Sequence, residues 1–193
     1  MTEALQDLHY DYKPALLGAA WQFRLRSDAL EWQLGRRAGR LPYERVARVR
    51  LSFRPVTMQT YRFIAEIWPE EGPKLQIAST SWRSILEQER KDRTYAAFLA
   101  ELHRRIAAAG GRADFVTGSP PFLYWPGLVV FAVAALAMAA LTVRAIQVQA
   151  WEATAIVGGF FALFLWQVGG FFRRNRPGTY QPNALPPDLI PRT

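Results

Sequence analysis

A chain of 193 residues with a formal net charge of +8 accommodates one soluble domain of about 110 residues, with length to spare. It has no cysteine, which excludes disulfides, zinc–thiolate sites and thiol nucleophiles. The basic excess would suit nucleic acid, but two long charge-free stretches near the C-terminus make arginine held beside a membrane the simpler cause, so no nucleic-acid partner is expected.

Residues 1–20 read as an N-terminal extension. Glu3, Asp7 and Asp11 stand where a cleavable signal would be positive, and the apolar run Ala15–Trp21 is short. From Trp21 the pattern alternates with period two, with Trp21, Phe23 and Leu25 on one face and Gln22, Arg24 and Arg26 on the other. Ser27-Asp28 marks a turn, and Leu30, Trp32 and Leu34 resume the alternation, which predicts a β-hairpin with one buried face. Gly35–Arg40 is expected to be a basic turn. Val49, Leu51 and Phe53 predict a further strand, ended by Pro55 because proline cannot donate to a ladder. Tyr61, Phe63, Ala65 and Ile67, alternating with Thr60, Arg62, Ile64 and Glu66, predict the next. Pro69–Pro73 is a compact loop, and Leu75 and Ile77 belong to the returning strand.

Trp82, Ile85 and Leu86 are read as a helical turn ahead of the charge-dense stretch Glu87–Arg93. The period then becomes 3.6. Tyr95, Phe98, Leu99, Leu102 and Ile106 form one stripe, with Asp92 as the expected N-cap and Gly110-Gly111 as the stop. Residues 110–121 read as a linker rich in glycine and proline.

The run Asp28-Ala29-Leu30-Glu31-Trp32, a glycine turn, and then Leu41-Pro42-Tyr43-Glu44-Arg45-Val46-Ala47-Arg48-Val49 resembles the bacterial PH-like domains of membrane-anchored proteins. The resemblance extends over residues 21–109. It implies an α+β domain, a PH-like antiparallel β-barrel capped by a C-terminal amphipathic helix, used for binding or assembly and bringing no catalytic residues. Glu31 and Gln33 occupy outward positions where phosphoinositide-binding PH domains carry basic residues, so no inositol-phosphate pocket is expected.

Phe122–Val143 and Ala153–Phe172 contain no Asp, Glu, Lys or Arg, and each is long enough to cross a hydrocarbon core of about 30 Å as a helix. The short connection Arg144–Glu152 makes residues 122–172 a transmembrane hairpin. Arg104, Arg105 and Arg112 precede it and Arg173, Arg174 and Arg176 follow, against Arg144 alone in the connection. That bias predicts cytoplasmic termini. Tyr124, Trp125 and Trp151 suit interfacial positions. Ala135 and Ala139, Ala155 and Gly159, and Gly158 and Ala162 are each four apart, spacing that serves packing within the hairpin or between copies of the chain. Gln167 is the one strongly polar side chain in the spans, near one end, which gives no support to transport.

Arg24, Arg26, Arg48, Arg50 and Arg62 fall on the outward face of the expected sheet. They form either a solvated face or a footprint for anionic lipid. The candidate lipid contacts are Arg36, Arg37 and Arg40 in the turn, with Arg173, Arg174 and Arg176 beside the second span. Residues 173–193 form a basic, proline-rich tail, either disordered or docked on a partner or on the domain itself. His9 and His103 lack neighbours at metal or triad spacing, no phosphate-binding glycine loop occurs, and no cofactor is expected. These features predict a non-enzymatic module on the cytoplasmic face of a bacterial inner membrane, binding a protein partner or forming a homo-oligomer, with anionic-lipid contacts. The alternative is an accessory subunit recruited to a larger membrane complex through its hairpin.

Overall fold

Short antiparallel strands account for most of the N-terminal half of the computed structural model, which describes residues 8–55, 61–84 and 88–191. Glu3, Asp7, Thr60, Ile85, Leu86 and Glu87 lie outside the described residues. One sheet runs in the order β1 (His9–Tyr12), β2 (Trp21–Leu25), β3 (Ala29–Leu34) and β4 (Arg37–Pro42). Its hairpin registers Phe23 with Trp32 and Leu25 with Leu30, the pairs that the alternation requires. A 3-10 turn, Tyr43–Arg45, leads into β5 (Val46–Pro55), which pairs with β6 (Tyr61–Pro69), and β6 pairs with β7 (Leu75–Ala78). Beyond β7, β8 (Thr80–Trp82) and β9 (Gln88–Arg90) form a separate ribbon, so Trp82 ends a strand and is not helical.

The fold is α+β. Among the described residues the strands do not close into a barrel. β4 passes to β5 through the 3-10 turn without pairing with it. The opposite corner is held by Trp82 N–H donating to the Lys13 carbonyl at 3.2 Å and Lys13 N–H donating to Ser81 Oγ at 3.0 Å.

Helix α1 (Asp92–Ala108) buries Tyr95, Phe98, Leu99, Leu102 and Ile106 into the core that both sheets share, as its periodicity predicts. Burial of each such side chain contributes about 1.5–3 kcal/mol. Asp92 is already in the first turn, and Lys91 occupies the cap position without a side-chain cap. Asp92 instead pairs with Arg90 at 2.5 Å. Gly110, at φ +70°, ends the helix in the left-handed conformation that glycine adopts without strain.

Two expectations about segment roles are corrected, and the tail takes one of its expected placements, docked on the domain itself. The N-terminal extension contributes β1. There Tyr10 and Tyr12 are buried, and their hydroxyls donate at 2.6 Å to the Ala78 and Gln76 carbonyls of edge strand β7. The linker contains β10 (Asp114–Thr117), which extends the second sheet parallel to β5. The tail contains β11 (Gly178–Thr179), paired with β10, and then a 3-10 turn at Pro187–Leu189 that delivers Leu189 to the core.

Between β10 and β11 stand α2 (Pro121–Gln147) and α3 (Trp151–Arg174). Both are long and apolar enough to cross a membrane. At 1.5 Å per residue they measure about 40 and 36 Å. The connection is shorter than expected, only Val148–Ala150, because α2 runs on through Arg144 to Gln147. The hairpin is thus an insertion in the second sheet, leaving through one strand and returning through its neighbour.

Candidate functional site

The place where the hairpin enters the sheet has the most constrained geometry. Gly118 N–H donates to the Leu51 carbonyl at 2.7 Å, and the chain then turns away into α2. The next position along β5 would lack a partner there. Asn175 fills it, its Oδ1 accepting from Phe53 N–H at 3.0 Å while its Nδ2 donates to the Phe171 carbonyl at 3.1 Å. Its own carbonyl accepts from Ser119 N–H at 3.0 Å. Asn175 is buried, so these bonds are shielded from water.

Gly118 sits at φ +73°, and a Cβ there would collide with the carbonyl oxygens of Asn175 and Arg176. Tyr124 adds an edge-on contact with Phe172, ring centroids 5.6 Å apart. The domain is therefore bonded to the hairpin in one orientation and does not hang from a loose linker.

The arginines after α3 border this junction. Arg174 lies 4.6 Å above the Phe53 ring and 5.9 Å from Tyr61, within cation–π range. Arg173 and Arg174 line a cleft of about 450 Å³ whose other walls include Phe53, Trp166 and Gly170. Arg176 is exposed, and its carbonyl accepts from Thr117 Oγ1.

Arg36, in the turn between β3 and β4 as expected, and Arg37 are exposed, and Arg40 binds both carboxylate oxygens of Asp28 at 2.6 Å, holding the Asp28 carboxyl below its ordinary range. Arg37 and Arg40 belong to β4, not to a turn, because Gly39 lets that strand pass under the Trp32 indole where a Cβ would clash. No hydrogen bond or ion pair connects this trio to Arg173, Arg174 and Arg176 among the described residues. Most of the outward arginines are engaged: Arg26 with Glu31 at 2.9 Å, Arg48 with Asp114 at 3.4 Å, and Arg62 with Thr80 Oγ1 at 2.9 Å. Burial pushes the Arg62 pKa down.

The six small hairpin residues divide into two faces. Ala135, Ala139 and Gly158 are half-buried between the helices, where Gly158 meets Thr142 Cγ2 at 3.7 Å; Ala155, Gly159 and Ala162 point outward. Larger partners complete the inner face. Phe131 packs between Phe164 and Phe172, at 5.1 and 5.3 Å, with Gly127 and Gly169 giving room. A Gly127–Phe131 and Phe164–Phe172 spacing along one helical face is the sequence signal for this seam.

The tail is latched by His103. Its Nδ1 faces the Leu99 carbonyl at 2.7 Å and so carries the proton, which leaves Nε2 to accept from the Tyr180 hydroxyl at 2.8 Å. Burial lowers the His103 pKa to about 4, and the ring packs against Phe115 of β10. Among the described residues no group of His, Cys, Asp and Glu side chains gathers closely enough to hold a metal ion. No protein-family model, no curated protein and no solved structure matches the chain.

Proposed function

We propose that this protein is a non-enzymatic binding or assembly module of PH-like type, held at the cytoplasmic face of a bacterial inner membrane by its helical hairpin. The observation that carries the reading is the exposure of the two helices. Within their most apolar windows nothing is buried inside the chain, whereas a soluble core helix of that composition would be covered. Lipid is the solvent that such a surface needs. The antiparallel strands followed by an amphipathic helix support the PH-like assignment.

The side on which the domain sits follows from charge. Arg112, Arg173, Arg174 and Arg176 flank the open end of the hairpin, while Arg144 stands near the turn with Glu152 to offset it. Confinement at the surface raises the effective concentration of any partner there. The Asn175 junction adds orientation, presenting one fixed side of the domain. After alkaline carbonate washing of native membranes the protein is expected to stay in the pellet. Its release into the wash would contradict the anchoring.

A second reading has one observation in its favour. Ala155, Gly159 and Ala162 form an outward small-residue face on α3, the kind that admits another helix closely. In that reading the hairpin recruits the protein to a membrane complex. Replacing it with an unrelated hairpin separates the two: a partner retained on affinity purification supports the soluble domain, and a partner lost supports the spans.

A further inference from the structure

On the other side of the junction, a cleft of about 520 Å³ lies between the outer face of β5–β7 and the ends of the hairpin. Its sheet wall is cationic. Arg50 is held 4.9 Å over the Trp68 ring, Lys74 stands 5.4 Å from the same ring, and Arg54 is exposed beside them. Glu66, the cross-strand neighbour of Arg50, is the one carboxylate among the described lining residues; it is buried and paired with Lys74 at 2.7 Å, so Arg50 and Arg54 leave the cleft with an excess of positive charge. The opposite wall carries Leu123 from the first turn of α2 and Phe171 from the last turn of α3, with Ser119, Pro120 and the already bonded Asn175 beside them.

Ser52 supplies an independent observation. It sits on the outward face of β5, yet it is only 6% exposed, and its hydroxyl lines the cleft with no hydrogen-bond partner among the described residues. Buried hydroxyls are almost always bonded, and one left open beside two arginines is a donor awaiting an acceptor.

We propose that this cleft binds the phosphate of an anionic glycerophospholipid, with Arg50 and Arg54 contacting the headgroup and Ser52 Oγ donating to a phosphate oxygen. The acyl chains run down the hairpin past Leu123 and Phe171. This proposal rests on the reading of α2 and α3 as membrane spans, because only then is the cleft at headgroup depth. The occupant follows from the two walls. A free phosphate or an acidic peptide would satisfy the cations but leave Leu123 and Phe171 without a match, whereas a lipid has a charged head and apolar chains in that order. The site is distinct from Arg36, Arg37 and Arg40, which lie in β4 and the turn before it.

The test is native mass spectrometry of the full chain released from nanodiscs containing phosphatidylglycerol and phosphatidylcholine. Wild-type protein is expected to retain phosphatidylglycerol selectively. Arg50→Gln with Arg54→Gln is expected to lower that retention about tenfold or more, since each basic group near the headgroups contributes. Ser52→Ala, which keeps the strand and removes only the hydroxyl, is expected to lower it about threefold and keeps the test open if the double variant fails to fold. Arg45→Gln with Arg93→Gln, exposed positions away from the cleft, is expected to leave retention unchanged. Equal loss in both arginine pairs, no preference for phosphatidylglycerol, or displacement of the lipid by millimolar inorganic phosphate would each overturn the proposal. Failure of the wild-type chain to enter nanodiscs at all would instead refute the membrane anchoring.

Discussion

In the sheet domain Leu25, Val49, Leu51 and Phe98 are shut off from solvent entirely, while in the hairpin Val130, Leu136 and Trp166 are 69%, 72% and 73% exposed. Both sets are large and apolar; what differs is where their apolar surface goes. Burial in a close-packed core gives each side chain many partners and makes the position intolerant of change. A side chain that faces lipid loses little when shortened, because lipid closes the gap. The two regions should therefore respond oppositely to identical chemistry.

The sharpest form of that contrast is a pair of truncations in protein held in nanodiscs. Phe98→Ala is expected to cost about 3–5 kcal/mol in denaturant unfolding of the domain. Leu136→Ala is expected to leave the same transition within about 0.5 kcal/mol. Comparable losses at both positions would mean that the hairpin packs against protein in its working state.

Next in size is the tail latch. His103 is held neutral in the folded state at a pKa of about 4, against an ordinary value of 6.5. Its lowered pKa means that the unfolded chain binds the proton first as pH falls. The latch therefore contributes fully above pH 6.5, and its contribution is lost progressively down to about pH 4. Thermal melts across that window are expected to register a loss of about 3 kcal/mol. Glu101, held at about 2 from an ordinary 4.5 by the hydrogen bond from Arg104, loses its contribution only below pH 4.5, so the two windows barely overlap. His103→Gln should flatten the upper window and leave the lower one in place.

Asn175→Ala removes the acceptor for a buried Phe53 N–H and is expected to cost about 1–3 kcal/mol. Its more telling effect is on hydrogen exchange. The amides of Phe53 and Ser119 should exchange faster while those of Phe98 and Leu99 stay protected. Uniform acceleration would mean that the junction is not a separable element.

The two regions also differ in how much of them could be read from residue order. Strands such as Trp21–Leu25 and the stripe from Tyr95 to Ile106 announce themselves through period, and the spans through absence of charge. β10 and β11, with four and two residues, are too short to carry a period. Their partners lie far off in sequence, so Asp114–Thr117 reads as linker and Tyr180 as tail. β1 gives little more signal, since Tyr10 and Tyr12 are polar enough at their tips to resemble surface residues. Arg40 reads as a turn residue because a glycine that fits beneath Trp32 looks the same in sequence as a glycine that turns. The cleft beside β5–β7 is beyond reach of any local pattern. It needs Ser52 from β5, Trp68 from β6, Lys74 from the segment before β7 and Leu123 from α2, which no single stretch of sequence holds together.

The absence of cysteine makes the central claim directly measurable, because any thiol introduced is the only one. Val148→Cys in the α2–α3 connection and Glu70→Cys in the loop after β6 are each exposed positions. With a membrane-impermeant maleimide on intact cells whose outer barrier is opened, the position in the connection should be labelled at once, and Glu70→Cys only after the inner membrane is broken. Labelling of Glu70→Cys from outside, or of neither position before lysis, would contradict a hairpin that crosses the bilayer and keeps the domain within.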